Sequence, residues 1–131
     1  MRLIVDTQSW LWMMVDRRRF SQATQVRLER GDDDIVVSLA SCWEIAIKYS
    51  VGKLPLPEPP ASYLPAQLAA LGMTVLPIEL DHVLGVATLA RRPGHGDPFD
   101  RLIIAQALAL GLPVLTSDRR FAEYGVEVLA P

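Results

Sequence analysis

Short runs of β-branched and other apolar residues recur along this chain, and each is followed by a stretch with helical spacing. "RLIV" at 2–5 comes first, and the polar "DTQS" after it reads as a strand end passing into a helix start. Further strands are expected near 35–38, in "TVLPI" (74–78), in "LPVLTSD" (112–118) and in "VEVL" (126–129). Helical patterns lie between them over 9–15, 21–30, from Ser41 to a stop at Gly52, and around 61–71, 81–90 and 98–110, with a short helical turn in "RRFAEYG". Strands that alternate with helices imply parallel pairing through right-handed crossovers. The expected fold class is therefore α/β, with helices on both faces of a short, mostly parallel five-stranded sheet.

Size and composition fit one domain spanning 1–131: half of the 131 residues are hydrophobic, and no repeat or low-complexity tract divides them. The proline-rich "LPLPEPP" reads as a loop. Apolar runs such as "WLWMMV" and "LIIA" fall far short of the roughly 20 residues of a membrane span. The N-terminus lacks the charged, apolar and small-residue order of an export signal, so a soluble, cytoplasmic protein is expected. A lone Cys42 excludes a disulfide framework and a cysteine-based zinc site. The formal charge of −2 argues against coating nucleic acid by bulk attraction, although a local basic rim is allowed.

The carboxylates carry the functional signal. Taken singly they read as structure: Asp97 is a good cap before Pro98, Asp100 suits the first turn of a helix, and Glu44 falls three residues after Ser41 as in a capping box. Their positions read differently together. Asp6 ends the first strand, Glu44 opens the helix after the second, Asp118 ends the fourth, and Asp100 opens the helix leading into it. In a parallel sheet with helical crossovers, strand C-termini and helix N-termini share the edge where such folds bind ligands. Two carboxylates 4 Å apart repel by about 4 kcal/mol at an effective dielectric near 20, so a cation or partial protonation must offset the crowding. Magnesium or manganese suits an all-oxygen set, and no cysteine or histidine set for zinc is present.

"LIVDTQSWLW", "SCWEIAIKYSVGKL", "HGDPFDRLIIAQAL" and "PVLTSDRRFAEYGVEVL" occur in the order and spacing of PIN-domain proteins, and the chain most resembles their VapC-like toxin branch over essentially its whole length. The resemblance implies a three-layer α/β/α PIN-like fold and a metal-dependent endoribonuclease, the toxin of a toxin–antitoxin pair, that hydrolyses RNA phosphodiester bonds. It implies that Asp6, Glu44, Asp100 and Asp118 hold one or two Mg2+ or Mn2+ ions. Asp97 is read first as a cap and second as a supporting acid, and Gln8 stands where many relatives carry histidine. Thr7, Thr116 and Ser117 flank the acids and can support them or bond only turn backbone.

Bases should grip the substrate phosphate. Arg91, Arg92, His95, Arg101, Arg119 and Arg120 lie in site segments, and Arg101 and Arg119, each beside a proposed ligand, are the favoured contacts. "WLWMMV" is apolar on all sides, which offers Trp10, Trp12 and Met13 as a partner surface. The resemblance supplies the partners: a cognate antitoxin in a groove beside the first helices, and a second copy in a homodimer. A catalytically silent PIN-like module that binds RNA or protein is the alternative. A receiver-type regulator would also gather acids at strand ends, but it needs a late lysine, and none lies beyond Lys53.

Overall fold

The computed structural model describes all 131 residues. Five strands, β1 (Arg2–Val5), β2 (Asp34–Ser38), β3 (Thr74–Leu76), β4 (Val114–Leu115) and β5 (Val128–Leu129), form one sheet in the order β3-β2-β1-β4-β5. Every pairing is parallel. Six helices connect them: α1 (Thr7–Val15), α2 (Gln22–Arg30), α3 (Leu39–Ser50), α4 (Pro60–Leu71), α5 (Leu80–Val86) and α6 (Pro98–Leu110), with 3-10 turns at Arg17–Arg19 and Arg119–Tyr124.

The period of two along the strands divides the core. Leu3, Val5, Ile35, Val37 and Leu115 face one side, where they meet Trp10 and Met13 of α1, Ile45 of α3, and Tyr63 and Leu64 of α4. Ile4, Val36 and Val114 face the other, against Ile103, Ile104 and Ala107 of α6 and Phe121. Strands buried on both faces read as continuous apolar runs, and the result is three layers. Strand order reverses between β1 and β4. That switch point is where an open parallel sheet leaves a crevice at its C-terminal edge.

The boundaries differ from expectation in instructive places. β4 is shorter than 112–118 at both ends: Pro113 has no N–H to enter the ladder and serves only as the acceptor for Ile4 N, at 3.0 Å, and past Leu115 the chain turns as Asp118 N donates to the Thr116 hydroxyl at 3.0 Å. α5 stops at Val86 rather than 90: Gly85 weakens the helix, and the Thr88 hydroxyl bonds the Gly85 carbonyl at 2.9 Å as the backbone tightens to three-residue spacing.

α3 begins at Leu39, earlier than the expected Ser41. Ser38, not Ser41, caps it, accepting from Ala40 N at 3.0 Å, so the helix springs directly from the last residue of β2. Ser41 is instead buried inside the helix, where its Oγ accepts from Thr7 Oγ1 at 2.8 Å and ties α3 to α1. The capping box between Ser41 and Glu44 does not form. Glu44 sits well inside the helix, and its carboxylate is free of any backbone role.

Trp10 anchors the first core cluster. It is fully buried, yet its indole N–H has no acceptor. Trp10→Ala should therefore cost about 3–5 kcal/mol, as for other buried aromatics, whereas Trp10→Phe keeps most of the packing and removes an unsatisfied donor, so it should cost far less. Urea midpoints of the two variants check this; similar losses would show that packing is not what Trp10 contributes.

Candidate active site

Each acid is aimed by its own local structure. Asp6 leaves β1 in an extended conformation and caps α1, so one carboxylate oxygen accepts from Ser9 N at 2.8 Å. The other accepts from the Thr116 hydroxyl at 2.6 Å. Thr116 Oγ1 in turn accepts from Asp118 N at 3.0 Å, so one buried hydroxyl links the acid after β1 to the acid after β4. Asp118 caps the 3-10 turn through Arg120 N at 3.0 Å, and the Arg120 guanidinium grips both its oxygens at 2.9 Å. Asp97 caps α6, accepting from Phe99 N at 2.8 Å and Asp100 N at 3.0 Å.

Glu44 reaches the same place from the second turn of α3, where Lys48, four residues on, bonds it at 2.6 Å. These side chains line one cleft of about 190 Å3, with Thr7, Gln8 and Ser117 on its wall. Five carboxylates meet there, against Lys48 as the one cationic side chain of the lining and Arg120 beside Asp118.

Crowding and burial shift the acids apart. Asp100, with no hydrogen-bond donor of its own, is pushed up to about 7, first by burial and then by the charges of Asp97, Asp6, Glu44 and Asp118. Burial also raises Asp6, against the opposing bonds from Thr116 and Ser9. Asp118 is held below the usual carboxylate range by Arg120, and the bond to Glu44 raises Lys48. An excess of oxygen ligands, one of them pushed up to about 7, fits a site built for a hard divalent cation.

The four acids expected as ligands, Asp6, Glu44, Asp100 and Asp118, thus line a single cleft, with Asp97 beside them. Thr116 bonds Asp6 directly. Thr7 bonds Ser41 instead of an acid, and Ser117 is exposed on the cleft wall. Arg119 is exposed, while its neighbour Arg120 makes the carboxylate contact. Arg101 turns away from the acids, donating to Ala90 O at 3.2 Å and Tyr124 Oη at 3.3 Å, and it lines a separate cavity of about 470 Å3 with Arg91, Arg92 and His95.

His95 departs furthest from expectation: it is buried, not part of an exposed basic rim. Trp10 likewise cannot face a partner. Met13 is buried too and reaches the surface only as the floor of a groove of about 400 Å3 lined by residues of α1, α2 and α4. Trp12 is half-buried, edge-on to Phe20 with Arg19 over its ring. Sequence reasoning missed Lys48, although its four-residue spacing from Glu44 was a signal. It also missed a stripe on α3, where Leu39, Trp43, Ile47 and Val51 recur every four residues and are all exposed.

The PIN domain model matches residues 3–127. The chain belongs to the PIN-domain family. Among curated relatives it is similar to Ribonuclease VapC22 of Mycobacterium tuberculosis, 30% identical over 122 residues that make up 93% of this chain and 91% of the relative. It is also similar to Ribonuclease VapC16 of the same organism, 46% identical over 66 residues, but that match covers only 50% of this chain and 43% of the relative.

Solved structures share the fold. A VapBC2 complex from Rickettsia felis bound to a promoter DNA fragment matches with a TM-score of 0.72 at 17% identity, covering 99% of this chain and 98% of that one. A DNA-bound VapBC from Salmonella typhimurium matches at 0.71 and 19% identity, with the same coverage.

The crowding predicts a pH-dependent stability. In the unfolded chain Asp100 ionises near pH 4, whereas in the fold it holds its proton to about 7. The folded state therefore binds the extra proton between these values, and stability falls as pH rises through the window and stays reduced above it. In chelator-treated protein, Asp100→Asn should raise the melting temperature by several degrees above neutrality and by little near pH 4. An equal effect at both ends would show that the carboxyl is not strained by its neighbours.

Proposed function

We propose that this protein is a metal-dependent endoribonuclease that hydrolyses RNA phosphodiester bonds, and that it acts as the toxin of a toxin–antitoxin pair. The observation that carries the reading is the meeting of Asp6, Glu44, Asp100 and Asp118 in one cleft at the switch point of a parallel sheet, with more carboxylates than cations to balance them. The similarity to relatives named as ribonucleases supports the reaction class.

Asp6, Glu44, Asp100 and Asp118 are the residues that would hold Mg2+ or Mn2+. Held there, such an ion would supply Lewis acidity toward a water and a phosphate oxygen. The chain's own contribution is positioning. Caps at Asp6 and Asp118 and the Thr116 hydroxyl fix the carboxylates before any ligand arrives, so little reorganisation is left for the reaction. Lys48 is about half exposed but Glu44 is buried, so Lys48 would leave only as another cation takes over the carboxylate's charge.

Acids repel a phosphate, so the RNA backbone needs cations nearby. Arg91, Arg92 and Arg101 supply them in the cavity behind His95, and Arg119 supplies another from its exposed position next to Asp118. The groove floored by Met13 is the seat for a cognate antitoxin segment. The apolar stripe of α3, where Trp43 also packs edge-on to Phe99 at 5.2 Å, is the face for a second copy, because one helix stripe can meet its own twofold image.

No helix is long and apolar enough to cross a membrane.

Asp6→Asn and Asp100→Asn should each reduce manganese-dependent cleavage of a labelled RNA panel to background while far-UV circular dichroism stays native. Full cleavage by either variant, purified free of contaminating nuclease, would remove the proposal. For assembly, Trp43→Glu should shift sedimentation from dimer to monomer without loss of fold; an unchanged dimer would place the interface elsewhere.

A further inference from the structure

His95 lies in the connection between α5 and α6, and almost nothing of its side chain reaches solvent: the ring is 1% exposed. Its backbone N–H donates to Arg92 O at 3.0 Å. Phe121 and Tyr124 flank the imidazole with ring centroids at 5.8 and 5.5 Å. Nδ1 meets the Tyr124 hydroxyl at 2.9 Å, and that hydroxyl also accepts from Arg101 at 3.3 Å. The ring is thus held on three sides, and its free nitrogen has one direction to point.

Nε2 is buried and makes no hydrogen bond. It lies 3.4 Å from Asp100 Oδ2 and 3.5 Å from Asp118 Oδ2. A charge-assisted bond from an imidazole N–H to a carboxylate would close to about 2.7–2.9 Å, shorter than either contact here. Donor atoms that share a cation behave differently. With bonds of about 2.1 Å, neighbouring donors stand about 3.0 Å apart in an octahedral shell and about 3.4 Å apart in a tetrahedral one. The nitrogen stands 3.4 and 3.5 Å from the two oxygens, close to the tetrahedral spacing, and one donor atom from each of the three residues lies within 4.8 Å of the others. The contact of Nδ1 with a hydroxyl is the kind of outer partner that orients a ligating histidine.

We infer that His95 Nε2 is itself a metal ligand, so that Asp100, Asp118 and His95 form a mixed nitrogen–oxygen face selecting a divalent first-row transition ion over magnesium. The inference rests on the metal-dependent reading of the acid cleft and adds a fifth ligand to it. Its chemical basis is ligand softness: imidazole suits transition ions, whereas Mg2+ prefers oxygen and gives up its waters reluctantly. Tyr124 acts as a positioning residue that holds the ring, and Arg101 in turn holds Tyr124.

Manganese provides the probe, because its unpaired electrons report directly coordinated nitrogen in pulsed EPR. The chain has only two histidines, and the other, His82, is engaged at the start of α5 with Glu79 N at 3.0 Å. An imidazole nitrogen on the bound ion would therefore come from His95. The full-length protein loaded with Mn2+ should show that coupling, and His95→Gln should lose it. The same variant should weaken Mn2+ binding by about 10–100-fold in calorimetry while changing Mg2+ binding little. Tyr124→Phe, which leaves the imidazole in place, should retain the coupling but bind Mn2+ more weakly.

Two results would overturn the inference while leaving the acid site standing: Mn2+ bound in an Asp6-dependent way with no imidazole coupling, or equal losses of Mn2+ and Mg2+ affinity in His95→Gln. Absence of any Mn2+ binding to the native protein would sink both.

Discussion

Like charges held together at the C-terminal edge of β1 and β4 are the constraint on which the site depends. Left alone, Asp6 and Asp118 would relax apart, and the register of two adjacent parallel strands prevents it. The Thr116 hydroxyl completes the restraint by donating to Asp6 while accepting from the backbone of Asp118. Sheet pairing, buried on both faces, thus opposes electrostatic repulsion, and the cost surfaces at Asp100, the one acid without a donor. A fold that carries such strain without a ligand gains more when a cation arrives.

Capping a helix and lining the cleft are compatible uses of the same carboxylate. Asp6 and Asp118 each use one oxygen to terminate a backbone and turn the other toward a neighbour across the site. Asp97 caps with one oxygen while lining the cleft. A helix start needs only one acceptor, and a carboxylate has two. Choosing between cap and ligand from sequence is therefore the wrong question for an acid at a strand end.

Alternation of apolar strands and helical segments was enough to read the three layers, and acids at strand ends were enough to read the edge they share. Local chemistry was harder. Ser41 and Ser38 are equally good caps by residue type, and only the extended backbone of Ser38 at the end of β2 decides between them. His95 looked like one base among several because burial of a loop residue depends on Phe121 and Tyr124, more than twenty residues away. Trp10 and Trp43 show the same blindness from the other side: both are large and helical, yet the sheet covers one and leaves the other bare. Periodicity locates a face, but which face meets the sheet is settled by packing.

The direct junction of β2 and α3 sets a rigid phase. Because no loop separates Ser38 from Leu39, the azimuth of Glu44 about its helix axis is fixed by counting residues from the strand. Adding or deleting one residue between 39 and 43 would swing that carboxylate by about 100° and point it away from its companions. The segment before α6 has no such clockwork, since Asp97 resets the helix wherever it begins. Changes in chain length should thus be forbidden between β2 and Glu44, whereas in the connection before α6 only the residues that seat His95 are constrained.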